Sequence, residues 1–193
     1  LLERALATLH FGQHRYPGGS MGNHWDWGRG RIADAAKNCT LYPPGSEINC
    51  DYMQSMSEAA AAFPAGSFAV GPFLESMRRA DAAAVLTVEV TDTPSAAAGV
   101  RAVELAAAAA ARTNIPLLVE VGNEVFDAWQ GPQPGGFASA VDYLAVAGPI
   151  MRAVRAAGGR VGLPLAPCPF WFPPGSALAS ECFGRGGGAC TAA

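Results

Sequence analysis

Asn123 and Glu124 stand at the end of an apolar, β-branched run, Ile115 to Glu124, read IPLLVEVGNE. Apolar residues on both parities suit a strand covered on both faces, and Gly122 marks where it stops. Parallel α/β sheets carry catalytic groups at the carboxyl ends of their strands, where the backbone is fixed and side chains face the substrate loops. Asn123 and Glu124 are therefore expected at the rim of a site, with the Glu124 carboxyl the best candidate for chemistry. Glu120 shares a parity with Glu124 and points to the same side, one layer deeper. A lone buried carboxylate is costly, so a partner is expected, and Arg15 is the first suspect. Arg15 lies near the end of the short stretch His10 to Tyr16. A fixed guanidinium there keeps a carboxylate ionised and oriented; its plainer use is an ordinary surface ion pair.

Asn23 to Trp27, NHWDW, packs two indoles, an imidazole and a carboxylate into five residues. Sugars present flat C–H faces and peripheral hydroxyls, so an aromatic beside hydrogen-bonding groups is what a carbohydrate pocket needs, and Trp25 is the binding candidate. The same residues equally suit a loop pinned over a core by buried tryptophans. His10, His14 and His24 with Asp26 are a poor metal site, because His10 and His14 at i, i+4 share a face only on a helix and this stretch reads as strand. No metal and no cofactor is expected.

The elements that would position these residues alternate. Leu1 to Leu9 has helical spacing, and His10 to Tyr16 is a strand leaving through the tight turn Pro17-Gly18-Gly19. Gly28 to Gly66 reads as a long excursion rich in Pro, Gly, Asn and Asp. Phe68 to Arg79 has helical spacing, with Pro72 suited to the first turn. Ala82 to Val90 is a strand, with Glu89 near its end; Pro94 to Arg112 is an Ala-rich helix closed by Asn114. After the central strand, Ala138 to Ala156 is a helix and Arg160 to Pro167 the last strand. Strand then helix, repeated over four strands, predicts an α/β fold with a parallel sheet.

The motifs carry a resemblance. Gly122-Asn123-Glu124 after a hydrophobic strand resembles the acid/base signature of the retaining glycoside hydrolases built on (β/α)8 barrels. Arg15-Tyr16-Pro17-Gly18-Gly19 with Asn23-His24-Trp25-Asp26-Trp27 resembles the second-strand segment of α-L-arabinofuranosidases. The resemblance implies a partial TIM barrel, about strands 2 to 5, over residues 1–167, with 168–193 a loop-like tail. It implies Glu124 as general acid/base, Asn123 on the hydroxyl beside the sugar's reacting carbon, and Arg15 bracing the catalytic carboxylates. Arg15 and Glu124 are then expected at the same end of adjacent parallel strands. The clan's nucleophile closes the seventh strand, and none of Glu89, Asp92, Glu120 or Asp127 matches its segment. The expected activity is retaining hydrolysis of plant or algal-type polysaccharide or glycan, with this chain alone inactive. Alternatives are a β-glucuronidase or heparanase-like hydrolase, and a non-catalytic carbohydrate-binding fragment.

Composition sets bounds on partners. The chain has 193 residues, where a full (β/α)8 barrel typically needs about 250, so a fragment is expected. Hydrophobic residues make up 50% and charged ones 15%, apolar for a soluble domain. Net charge is −3 with a pI near 5.6 and no basic stripe, which argues against nucleic acid, and no apolar run reaches the roughly 18 residues of a membrane span. The oligomeric state is not legible. Cys39, Cys50, Cys168, Cys182 and Cys190 all sit in loop-like stretches, and Asn38-Cys39-Thr40 is a glycosylation sequon. Both lean towards a secreted protein with a Cys39 to Cys50 bridge; chance loop thiols and an unused sequon are the alternative.

Overall fold

In the computed structural model, residues 12–33, 50–90, 96–123, 125, 137 and 140–163 are described. Their elements are β1 (Gln13–Tyr16), a 3-10 turn (Gly19–Asn23), β2 (Trp25–Asp26), β3 (Arg31–Ile32), α1 (Cys50–Ala61), α2 (Val70–Arg79), β4 (Ala83–Val88), α3 (Ala96–Thr113), β5 (Leu118–Val121), α4 (Ala140–Ala156) and β6 (Arg160–Gly162). The four strands expected from the pattern form one sheet in the order β1-β4-β5-β6, every pair parallel, while β2 and β3 make a separate antiparallel ladder. The chain is thus mixed α/β around a parallel sheet whose spatial order follows the chain. Among the described residues, no helix is long and apolar enough to cross a membrane.

One face of the sheet is the core. Ala84, Leu86 and Val88 of β4 share a parity, as do Val119 and Val121 of β5, and all five are buried. They meet the buried stripes of three helices: Val70, Leu74 and Met77; Val103, Ala106 and Ala109; Ala147, Ile150 and Val154. Alanines on α3 let the helices approach closely. A Cβ on Gly99 would lie 2.2 Å from Ile150 Cδ1, so α3 and α4 cross where α3 has no side chain at all.

The opposite face corrects an expectation. The apolar pattern of Ile115 to Glu124 suits a strand covered on both faces, but Leu118 and Glu120 stay partly exposed, as does Val85, and Ala83 and Arg160 are exposed. The strand is also shorter than its apolar run. Ile115 to Leu117 lies outside the ladder except through the Leu117 carbonyl, which accepts from Arg160 N–H at 2.8 Å.

Two further readings change. α1 lies inside the long Pro-, Gly-, Asn- and Asp-rich excursion Gly28 to Gly66; Met53 is its only fully buried residue, so its helical period leaves little trace in the sequence. Pro149 sits within α4, where a helix-length apolar stripe outweighs the missing N–H. The other helices match within about two residues, and Asn114 ends α3 in a left-handed conformation at φ 55°. Leu1 to Leu9 and the tail from residue 168 lie outside the described residues. So does Cys39; Cys50, the first residue of α1, is disulfide-bonded to a partner that also lies outside them.

The β2–β3 ladder is held down at Gly30. Asp26 closes the turn: its Oδ1 accepts from Gly28 N–H at 2.8 Å and Arg29 N–H at 3.0 Å, and its carbonyl accepts from Gly30 N–H at 2.8 Å. Gly30 has φ 64°, and a Cβ there would lie 2.1 Å from the Phe68 carbonyl carbon. Gly66 has φ 81° with nothing within 4 Å, which makes it an internal control. In denaturant titrations Gly30→Ala is expected to cost about 2–4 kcal/mol, strain plus collision, and Gly66→Ala only about 1–2 kcal/mol. Equal losses would show that Gly30 is needed for its dihedral alone.

Candidate functional site

The carboxyl end of β5 is built around a glycine. Gly122 has φ 83°, and a Cβ there would lie 2.3 Å from Val125 Cγ1 and 2.8 Å from Val90 Cγ2. No other residue turns the chain out of the sheet in that space. Gly122 N–H still donates to the Val88 carbonyl at 2.9 Å, so the turn begins while the backbone is tied to β4.

The next residue is held from two sides. Asn23, at the end of the 3-10 turn and 0% exposed, binds the Asn123 backbone reciprocally: Asn123 N–H donates to Asn23 Oδ1 at 2.9 Å, and Asn23 Nδ2 donates to the Asn123 carbonyl at 2.7 Å. From β1, Arg15 Nη2 donates to Asn123 Oδ1 at 2.8 Å. One residue before Gly122, the Val121 carbonyl accepts from the Tyr143 hydroxyl of α4 at 2.8 Å. Burial, and then the charge of Glu120, hold that hydroxyl above its ordinary titration range.

The partner expected for Glu120 is the one observed. Arg15 Nε donates to Glu120 Oε2 at 2.6 Å, and the Thr87 hydroxyl of β4 lies 3.4 Å from the same oxygen, a long contact. The pair is partly exposed, with side chains 33% and 22% accessible, so Glu120 is less buried than expected. Arg15 and Asn123 do lie at the same end of the sheet. Their strands are not adjacent, because β4 runs between them, and the length of Arg15 spans the gap. Glu124 is the residue after Asn123 and lies outside the described residues.

Both tryptophans are buried. Trp25, 8% exposed, donates Nε1–H to the Tyr16 hydroxyl at 2.6 Å, and that hydroxyl donates to the Phe68 carbonyl. Trp27 donates Nε1–H to the Thr87 carbonyl at 3.1 Å. The indoles therefore pin the 3-10 turn and the β2–β3 ladder onto β1 and β4. Trp25 also lines a largely apolar cleft of about 280 Å³ with Tyr16, Met21, Met56 and Phe63, beside the end of β1. On its other side, a cavity of about 300 Å³ is lined by His24, Asp26, Glu89 and Arg101.

Asn23 and Thr87 were not among the site residues expected from sequence. Asn23 belonged to a motif noticed for its aromatics, and Thr87 looked like any strand threonine. A Cβ on Gly22 would lie 2.9 Å from Thr87 Cγ2, so the turn bearing Asn23 rests directly on Thr87. That contact has no signal in either segment alone.

Two outcomes follow. Asn23→Ala leaves the N–H and carbonyl of a residue 4% exposed without these partners, and is expected to cost about 2–4 kcal/mol in urea unfolding; a loss near zero would mean that water replaces the clamp. The Tyr16 hydroxyl is held well above its ordinary 10.0, by burial first, with the Trp25 hydrogen bond lowering it and the charge of Asp26 raising it. The unfolded chain sheds this proton near pH 10 while the fold keeps it, so the stabilisation is complete below pH 10 and is lost as pH rises beyond. Unfolding free energies from denaturant titrations between pH 8 and 11 should fall more steeply above about pH 10 in the native protein than in Tyr16→Phe, by up to about 1.4 kcal/mol per pH unit.

Comparison of the chain with family models, with curated proteins and with solved structures finds no match.

Proposed function

We propose that the chain is the acid/base-bearing part of a retaining glycoside hydrolase on a (β/α)8 barrel, closest in character to α-L-arabinofuranosidases. The observation that carries this reading is the state of Asn123. Its backbone is clamped by Asn23, its Oδ1 is engaged by Arg15, and its side-chain Nδ2, though buried, has no acceptor among the described residues. An amide held this firmly, with both N–H donors of Nδ2 unspent and a glutamate next in the chain, suits a sugar hydroxyl beside a reacting carbon. Four parallel strands in sequential order, with helices on one face and Arg15 on the other, agree with consecutive strands of a barrel.

In this reading Glu124 protonates the departing glycosidic oxygen and later takes a proton from the water that attacks the glycosyl enzyme. Retention needs a second carboxylate about 5–5.5 Å away. Glu120, paired with Arg15, is not given that duty, because its segment does not match that of the clan's nucleophile. The same ion pair favours a neutral sugar over a uronate, because Arg15 keeps no net charge to offer a substrate carboxylate, and so weighs against the glucuronidase alternative. Trp25 acts as a wall of the cleft beside the sugar. The reading also takes the protein to be secreted, with its five cysteines bridged in pairs but for one left over, and Asn38 open to glycosylation.

The test compares aryl and alkyl α-L-arabinofuranosides in a protein that includes the second carboxylate. Glu124→Ala is expected to lower turnover of poor leaving groups by about 10²–10⁴-fold, to spare the first step for aryl leaving groups, and to be rescued by azide. The 193-residue chain alone should hydrolyse neither substrate. Activity that survives Glu124→Ala unchanged would remove Glu124 from the mechanism; sugar binding without hydrolysis in the longer protein would mark a binding module instead.

A further inference from the structure

We infer that Glu120 and Arg15 are positioning residues that fix which way the Asn123 amide faces, so that the group it holds ready is a hydrogen-bond donor. An arginine carries five N–H donors and no acceptor. Only Oδ1 of an asparagine can face it, and the observed contact is Arg15 Nη2 to Asn123 Oδ1 at 2.8 Å. The reversed amide would set N–H against N–H. Arg15 can impose this only if its own plane is fixed, and the 2.6 Å bond from Nε to Glu120 Oε2 fixes it. Glu120 is in turn set by its place in β5, opposite Thr87 of β4.

The relay acts on the side chain alone. Asn23 holds the backbone of Asn123 independently, so position and polarity are governed by different residues. What remains is Nδ2, buried and without an acceptor among the described residues. Such a group costs the fold free energy that returns when an acceptor arrives. A site prepared in this way takes a hydroxyl or ether oxygen and rejects a cationic amine. The inference rests on the glycosidase reading only for the identity of that ligand, a neutral sugar; the relay itself rests on the geometry.

The experiment follows the side-chain ¹⁵N–¹H pair of Asn123 by NMR in the full 193-residue chain, assigned by its disappearance in Asn123→Asp, with methyl α-L-arabinofuranoside as probe. In the native protein the sugar is expected to shift this pair. Glu120→Leu should displace the pair before any sugar is added and weaken sugar binding at least about tenfold, the loss of one charge-assisted contact. Glu120→Gln, which keeps an acceptor for Arg15, should stay within about twofold of the native protein. The Asn123 backbone amide, held by Asn23, reports that each variant is folded. Should Glu120→Leu fail to fold, Arg15→Lys makes the same comparison, because lysine cannot bridge two acceptors in a rigid fork. An Asn123 pair unmoved in these variants overturns the relay. A sugar that shifts nothing in the native protein overturns the carbohydrate reading, while the displacement in the sugar-free variants still decides the relay.

Discussion

The rest of the site depends on the two hydrogen bonds between the Asn23 side chain and the Asn123 backbone. They join residues 100 apart in sequence, from a 3-10 turn after the first strand to the end of the third strand of the sheet. A strand end is where ladder bonds run out and the chain is free to fray. Here four backbone groups are met in turn: the Val121 carbonyl by Tyr143, Gly122 N–H by the Val88 carbonyl, and both groups of Asn123 by Asn23. The glycine makes the turn possible and the asparagine makes it rigid. Functional groups carried beyond such a point inherit its precision, which chemistry at a strand end requires.

A second constraint shapes the less covered face of the sheet. Helices cover one side with Val, Ile, Leu and Ala, while the other carries Arg15, Thr87 and Glu120. A carboxylate on a sheet face has to be matched, and Arg15 does so from two strands away while also reaching Asn123. Because the pair keeps some contact with solvent, its value lies more in orientation than in stability. The tryptophans serve the same end from above. Each indole N–H is spent inside the protein, one on Tyr16 and one on the Thr87 carbonyl, so their work is to seat the turn that carries Asn23.

Much of this was legible in the chain. The four strands and three of the helices follow from apolar periodicity and from Pro and Asn at the helix ends, because the burial that stabilises each element is written into its own spacing. Glu120 needed a cation by the cost of an unmatched carboxylate, and Arg15 was the candidate the order of elements allowed. Where burial is slight the signal fails: α1 buries little more than Met53 and passed for loop.

Tertiary structure decided what local pattern cannot encode. That only one face of β5 is fully covered depends on what packs there, and the residues of an apolar run do not name their neighbours. That Arg15 reaches Asn123 over an intervening strand depends on sheet order and side-chain length together. Asn23 looked like part of an aromatic sugar-binding motif and proved to be the clamp, because hydrogen bonds to a distant backbone leave no periodicity behind. The sequence by itself determined the four strands of the sheet and the three helices that cover it, the glycine at which the strand must end and the charge that Glu120 requires; the fold alone decided which side chains meet there, since that depends on distances between segments that the chain keeps far apart.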